Sequence, residues 1–235
     1  MPNVFDLPAS PTVAIHGSEE RFPVGRIFCV GRNYADHARE MGSNPDREPP
    51  FFFYKFAQDA VPGGGLIPYP PVTGDLHYEA ELVVAIGREG AAVAPERALD
   101  LVYGYAAGLD MTRRDLQAQA KDKGRPWDIA KNFAFSAPIG SLRRVADAGH
   151  ASSGAITLTL NGDVRQRGDI GDMIWNVAEV IAHLSRLERL LPGDLIYTGT
   201  PAGVGAVAPG DRLIVSIAGL SPLEVTIGER EADFI

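Results

Sequence analysis

The sequence predicts a mixed, mainly β protein with a few short helices, on three observations. Glycine and proline number 26 and 18 of 235 residues, a turn-rich composition that suits sheets better than helix bundles. Short apolar runs bounded by Gly, Pro, Asn or Asp recur along the chain, as strands do. Only three segments carry helical spacing. With 45% hydrophobic residues the chain can bury one large core. No linker, low-complexity segment or long-period repeat divides it.

Taken in order, residues 1–25 read as an N-terminal extension, with one strand at Thr12-Val13-Ala14-Ile15 and a turn at Gly17-Ser18. Residues 26–235 form the main domain. A strand from Arg26 to Val30 leads to Gly31, and Asn33 to Met41 reads as a helix with Asn33 as N-cap and Gly42 past its end. Gly42 to Pro50 is polar and rich in breakers, so a mobile loop is expected there. Phe51 to Phe56 is a short strand, and Val61 to Pro71 a Gly/Pro loop. Leu76 to Ile86 reads as one long buried strand, and Tyr103 to Asp110 as a second. Thr112 is placed to cap a helix running to about Lys123, where Gly124 stops it. Beyond it come strands at Ile156 to Leu160, Leu195 to Thr198, Leu213 to Ile217 and Leu223 to Ile227, and one amphipathic helix, roughly Trp175 to Ser185. Pro192-Gly193-Asp194 and Pro209-Gly210-Asp211 are turns that each launch a strand.

A net charge of −8 carries no electrostatic footprint for nucleic acid or an anionic membrane surface. No apolar run approaches ~18 residues, so no membrane span is expected. The N-terminus lacks an apolar signal region. A cytoplasmic protein is the simplest expectation. The single Cys29 cannot form an internal disulfide, and its apolar neighbours Ile27, Phe28 and Val30 mark it as a packing residue, with a catalytic thiol as the minor reading.

Three carboxylates carry the chemistry. Glu79 and Glu81 are two apart on the predicted strand and share a face. Two like charges side by side in a buried setting need positive compensation, and carboxylate oxygens suit Mg²⁺, Ca²⁺ or Mn²⁺. Asp110 ends the second apolar run and is the third candidate ligand. The bland alternative is a solvated strand face. His77 shares the alternation and is either a fourth ligand or a supporting neighbour. His37 and Glu40 lie three apart on the first helix, a spacing that lets a carboxylate fix the imidazole and raise its basicity, or that marks a solvated helix face. Lys131 is a lone cation in a mixed apolar stretch, placed against an anion or reaching for the surface. Arg114 and Gln117 are three apart and face one cavity or solvent. The glycine-rich Thr198-Gly199-Thr200-Pro201-Ala202-Gly203-Val204-Gly205 lacks the Gly-Lys-Ser/Thr end of a P-loop. A strand follows it where a dinucleotide fold needs a helix, so it reads as a loop whose backbone approaches a small ligand.

Together these pieces resemble the fumarylacetoacetate hydrolase family, from about Arg26 to Ile227. The likeness is carried by Val30-Gly31-Arg32-Asn33-Tyr34-Ala35-Asp36-His37, His77-Tyr78-Glu79-Ala80-Glu81, Gly108-Leu109-Asp110-Met111-Thr112, Lys123-Gly124-Arg125-Pro126-Trp127 and Thr198-Gly199-Thr200-Pro201. The resemblance implies a β-roll catalytic domain over 26–235 and a homodimer. It implies Glu79, Glu81 and Asp110 as Mg²⁺ or Mn²⁺ ligands, and His37 with Glu40 as the water-activating pair on a helix that orders over the site. It makes Lys131 the lysine that steadies developing negative charge, and it places Arg114, Gln117 and Thr200 against substrate. The implied substrate is a small 2-oxo acid, and the implied reaction hydrolysis of a C–C bond in a 3-acylpyruvate. Arg21-Phe22-Pro23-Val24, Pro45 to Phe53 and Arg125-Pro126-Trp127-Asp128 carry a narrower likeness to bacterial members that cleave fumarylpyruvate in gentisate breakdown. Acetylpyruvate hydrolysis, oxaloacetate decarboxylation and isomerisation of an unsaturated 2-oxo diacid are the alternatives. The chain departs from the family where Ala134 and Phe135 replace an expected acidic or polar residue, which would reshape the pocket.

Overall fold

Short runs, most of them alternating or continuously apolar, build eighteen strands among the described residues. The computed structural model describes Val4, residues 8–41 and residues 48–232. The expected mobile loop from Gly42 to Pro50 falls largely outside them.

Strands β1 (Thr12–Ala14) and β2 (Arg21–Pro23) form a hairpin, and β3 (Ile27–Gly31) leads to helix α1 (Ala35–Glu40). Then follow β4 (Phe51–Lys55), β5 (Ala60–Pro62), β6 (Gly65–Tyr69), β7 (Leu76–Tyr78), β8 (Ala80–Ile86), α2 (Pro95–Ala98) and β9 (Val102–Leu109). The chain continues through β10 (Thr112–Arg113), α3 (Arg114–Asp122), α4 (Asp128–Lys131), β11 (Ala137–Ile139), β12 (Arg143–Arg144) and α5 (Val145–Ala148). It closes with β13 (Ala155–Leu160), β14 (Asp163–Asp169), α6 (Val177–Leu187), β15 (Leu195–Tyr197), β16 (Gly205–Ala206), β17 (Arg212–Ile217) and β18 (Leu223–Arg230).

The largest sheet has the order β4-β3-β15-β8-β9-β11-β5, with β12 also on β9. A second sheet runs β14-β13-β17-β18-β6, and a small one β10-β7-β16. Parallel pairs (β15 with β3, β11 with β5, β18 with β6) sit among antiparallel ones. The mixed, mainly β expectation holds.

Strand β8 shows why the central run is apolar throughout. Leu82, Val84 and Ile86 enter a core shared with β9, β13, β17 and α6, while Val83 and Ala85 enter a second core with Ile27, Cys29, Leu195 and Tyr197. A strand covered on both faces has no polar side to show. Val13, Ile15, Phe22 and Val24 of the N-terminal stretch pack into that second core too. Cys29 is fully buried there, and burial pushes its thiol well up.

Four local expectations change. The predicted strand Leu76 to Ile86 breaks at Glu79: β7 pairs with β10 and β16, whereas β8 pairs with β15 and β9. The loop expected over Val61 to Pro71 contains β6 and the end of β5. Thr112 lies in β10 and Arg113 precedes α3, so Thr112 does not cap it. Tyr34, not Asn33, precedes α1. Asn33 is instead fully buried. Its amide donates to the Trp175 and Thr198 carbonyls at 2.9 and 2.8 Å and accepts from Trp175 N–H at 2.8 Å. It ties the end of β3 to the end of β15.

Asn176 caps α6 by accepting from Glu179 N–H at 3.0 Å, and Glu179 returns a bond to Asn176 N–H at 3.0 Å. This cap is solvent-accessible, so Asn176→Ala is expected to cost about 1 kcal/mol in urea unfolding. Asn33→Ala removes hydrogen bonds from the buried Thr198 carbonyl and from two part-buried Trp175 backbone groups, and is expected to cost about 3 kcal/mol. Equal losses in the two variants would refute the clamp assigned to Asn33.

Candidate active site

The break at Glu79 builds the site. Register across β8 and β9 sets Ala80 opposite Leu109 and Glu81 opposite Gly108. One step beyond the pairing, Asp110 N–H donates to the Glu79 carbonyl at 2.9 Å. Glu79, Glu81 and Asp110 thereby converge, each with an oxygen within 4.8 Å of the others. They are 5%, 2% and 0% exposed. Gln166 covers the break from β14. Its Oε1 accepts from Ala80 N–H at 2.9 Å, and its Nε2 donates to Thr200 Oγ1 and the Pro201 carbonyl, each at 2.8 Å.

Among the described residues, three cations face the carboxylates. Lys131 Nζ, at the end of α4, donates to Glu79 Oε2 at 2.8 Å, Asp110 Oδ2 at 2.7 Å and Thr112 Oγ1 at 2.6 Å. Arg114 donates to Glu79 Oε1 and to Gln117 Oε1, both at 2.6 Å. Lys55 Nζ lies 2.9 Å from Asp110 Oδ1 and donates to the Met111 carbonyl at 3.2 Å and to the Lys131 carbonyl. Burial alone would raise the Glu79 carboxyl, but Lys131 and Arg114 outweigh it and hold that group well below the usual range. Burial likewise works against the Lys131 ammonium, and Asp110 and Glu79 more than restore its charge.

Glu81 is the least compensated. Its Oε2 accepts from Gly199 N–H at 2.7 Å. Burial, then the charges of Asp110 and Glu79, push its carboxyl well above the usual range. Gly199 reaches this position at φ +97°, where a Cβ would stand 2.8 Å from Asn33 Cβ. Asp110 Oδ1 has the Lys55 ammonium close by yet accepts no well-aligned hydrogen bond. A buried acceptor with capacity to spare, an under-compensated carboxylate and an all-oxygen donor set fit a hard divalent cation.

His37 is buried on α1, with Nδ1 3.2 Å from Glu40 Oε2. Gly203 N–H steadies Glu40 from the glycine-rich loop, at 3.1 and 3.2 Å from its two oxygens. His37, Glu79, Glu81, Arg114, Gln117, Lys131 and Thr200 line one cleft of about 400 Å³, its open mouth included. Asp110 and Glu40 stand directly behind this lining, bonded to Lys131 and to His37. His77 lies outside the carboxylate cluster; it pairs with Asp75 at 2.9 Å and accepts from Arg114 Nε at 3.4 Å, which makes it a support for Arg114. Ala134 and Phe135 are exposed and do not line the cleft, so they do not reshape it. Lys55, Thr112 and Gln166 are site residues that sequence reasoning missed. A lysine inside the aromatic run Phe51-Phe52-Phe53-Tyr54-Lys55 was the available signal for the first.

Comparison with known proteins places this geometry. The model of the fumarylacetoacetate hydrolase C-terminal domain matches residues 26–228. A fumarylpyruvate hydrolase from Ralstonia sp. is 47% identical over 196 residues, covering 81% of this chain and 100% of the relative. The mitochondrial oxaloacetate tautomerase of Homo sapiens is 40% identical over 205 residues, covering 87% and 92%. The crystal structure of fumarylpyruvate hydrolase from Pseudomonas aeruginosa, in complex with Mn²⁺ and pyruvate, superposes with a TM-score of 0.95 at 50% identity, covering 97% of this chain and 100% of that one. No helix among the described residues is long and apolar enough to cross a membrane. With fold, carboxylate cluster and sequence in agreement, the chain belongs to the fumarylacetoacetate hydrolase family.

Proposed function

We infer that this protein hydrolyses a C–C bond of a 3-acylpyruvate, converting fumarylpyruvate and water to fumarate and pyruvate. The observation that carries this reading is the meeting, in one cleft, of a buried carboxylate cluster and a carboxylate-held histidine. Glu79, Glu81 and Asp110 would hold Mg²⁺ or Mn²⁺. When bound, the cation supplies Lewis-acid polarisation of the 2-oxo carboxylate end of the substrate.

The chain's own groups divide the remaining work. Glu40 holds Nδ1 of His37, which leaves Nε2 to take a proton from water. The water oxygen then bonds to the carbonyl carbon of the acyl group. Gln117 Oε1 is occupied by Arg114, so its NH₂ is the group free to donate to the oxygen that becomes negative. All three Lys131 N–H bonds go to Glu79, Asp110 and Thr112. Its contribution to that charge is therefore its field, in a water-poor setting where a fixed charge acts strongly. As the C–C bond breaks, the pyruvate carbon leaves with the electron pair and takes a proton, and the acyl group leaves as a carboxylate. Thr200, held by Gln166, lines the same cleft as a substrate contact. Assembly as a homodimer belongs to the same reading and is readable by light scattering.

The 40% identity to an oxaloacetate tautomerase supports a second reading, in which the same 2-oxo acid site moves a proton without water attacking a ketone. Purified protein with Mg²⁺ or Mn²⁺ is expected to remove the enol absorbance of fumarylpyruvate and release equal amounts of pyruvate and fumarate. EDTA should abolish this. Tautomerisation of oxaloacetate with no acylpyruvate cleavage would favour the second reading.

His37→Ala is expected to lower the hydrolytic rate by about 10²- to 10⁴-fold while Mn²⁺ binding by calorimetry persists; near-normal turnover would remove His37 as the base. Lys55→Met leaves Asp110 short of a buried cation. Urea unfolding of the metal-free variant should show a loss of about 3–5 kcal/mol, part of it recovered by added Mn²⁺. An unchanged midpoint would mean that Lys55 does not balance the cluster.

A further inference from the structure

Arg32 and Lys121 also line the cleft, and neither has work to do among the groups described so far. Arg114 and Lys131 are saturated by carboxylates, the Gln117 amide and a hydroxyl. Among the described residues no carboxylate pairs with Arg32 or Lys121. Two unpaired cations facing one cleft call for an anion there.

Arg32 is held in place deliberately. It is a non-glycine residue at φ +57°, a backbone conformation that persists where its surroundings enforce it and that clusters at ligand sites. Its guanidinium stacks 5.6 Å from the Phe51 ring and 5.8 Å from the Trp127 ring. Those two rings meet edge to face at 5.3 Å. The Phe51 ring covers Gly31 so closely that a Cβ there would lie 2.0 Å from it. An arginine between aromatic faces keeps its N–H fork free for a planar, two-oxygen acceptor.

Lys121 approaches from the other side. Arg114, Gln117 and Lys121 fall at i, i+3 and i+7 of α3 and share a face. Arg114 stands at the carboxylate cluster, and Lys121 is seven residues further, ~10 Å along the axis at 1.5 Å per residue. Burial, then the nearby charges of Arg32 and Arg114, lower the Lys121 ammonium's pKa, as expected of cations drawn together.

We propose that Arg32 and Lys121 form a subsite for a carboxylate at the far end of the acyl chain, with Phe51 and Trp127 fixing the guanidinium. The proposal rests on the acylpyruvate reading and deepens it. The substrate class becomes seven-carbon diacids rather than short acylpyruvates, because the cation-lined stretch between Arg114 and Lys121 serves a chain charged at both ends.

The test compares kcat/KM for fumarylpyruvate with that for acetylpyruvate, which ends in a methyl group. The wild-type preference for fumarylpyruvate should fall about 30-fold in Arg32→Ala, mainly through KM. Arg32→Lys should restore part of it. Lys121→Ala, at a solvent-exposed position at the end of α3, should lower the preference about 10-fold and guards against a folding defect in the Arg32 variants. If both substrates slow equally and the preference stands, the subsite is overturned. If wild type cleaves neither substrate, the hydrolase reading fails while the subsite stays testable by calorimetry with fumarate. Fumarate binding weakened tenfold or more by both alanine variants supports it. No binding, or equal binding in all forms, overturns it.

Discussion

Everything in this molecule is arranged around three carboxylates buried within 4.8 Å of one another. Burying one such charge is costly, and burying three together is possible only with compensation close at hand. The fold answers with Lys131 and Lys55, each 2% exposed, and with Arg114. These come from three separate stretches of chain, so α3, α4 and β4 are drawn to the same end of the β8–β9 pair. The balance is uneven. Glu79 is overcompensated and Glu81 undercompensated, which is the asymmetry expected of a site that completes itself with a cation.

Much of this was legible in the sequence, and the reason is spacing. Glu79 and Glu81 in an apolar run, Asp110 at the end of another, and the His37–Glu40 pair all carry local signals that survive without coordinates. The break at Glu79 was not legible, because both halves of the run are apolar and continuous hydrophobicity does not reveal a change of sheet. Nor was Lys55, whose importance arises from a neighbour 55 residues away in sequence.

The strand β14 escaped for a different reason. Most of its residues are exposed or half-buried, so hydrophobic periodicity passes it by. The turn before it did hold a signal. Asn161 and Gly162 both take positive φ, at 53° and 92°, the pair that a tight hairpin turn requires. Through Gln166 on this strand, the hairpin closes the gap at Ala80 and holds Thr200. A polar edge strand therefore belongs to the site as much as the apolar centre does.

The position of β15 sets a condition on how the chain is made. Residues 195–197 sit between β3 and β8, pairing with residues 27–29 on one side and 83–85 on the other. The middle of the principal sheet is thus completed by a segment that follows both of its neighbours by more than a hundred residues. Until then the two apolar strands that flank it have bare edges, and such edges recruit other chains. Contacts so distant in sequence also slow the search for the native pairing. That exposure falls on β3 and on β8, the strand that carries Glu81.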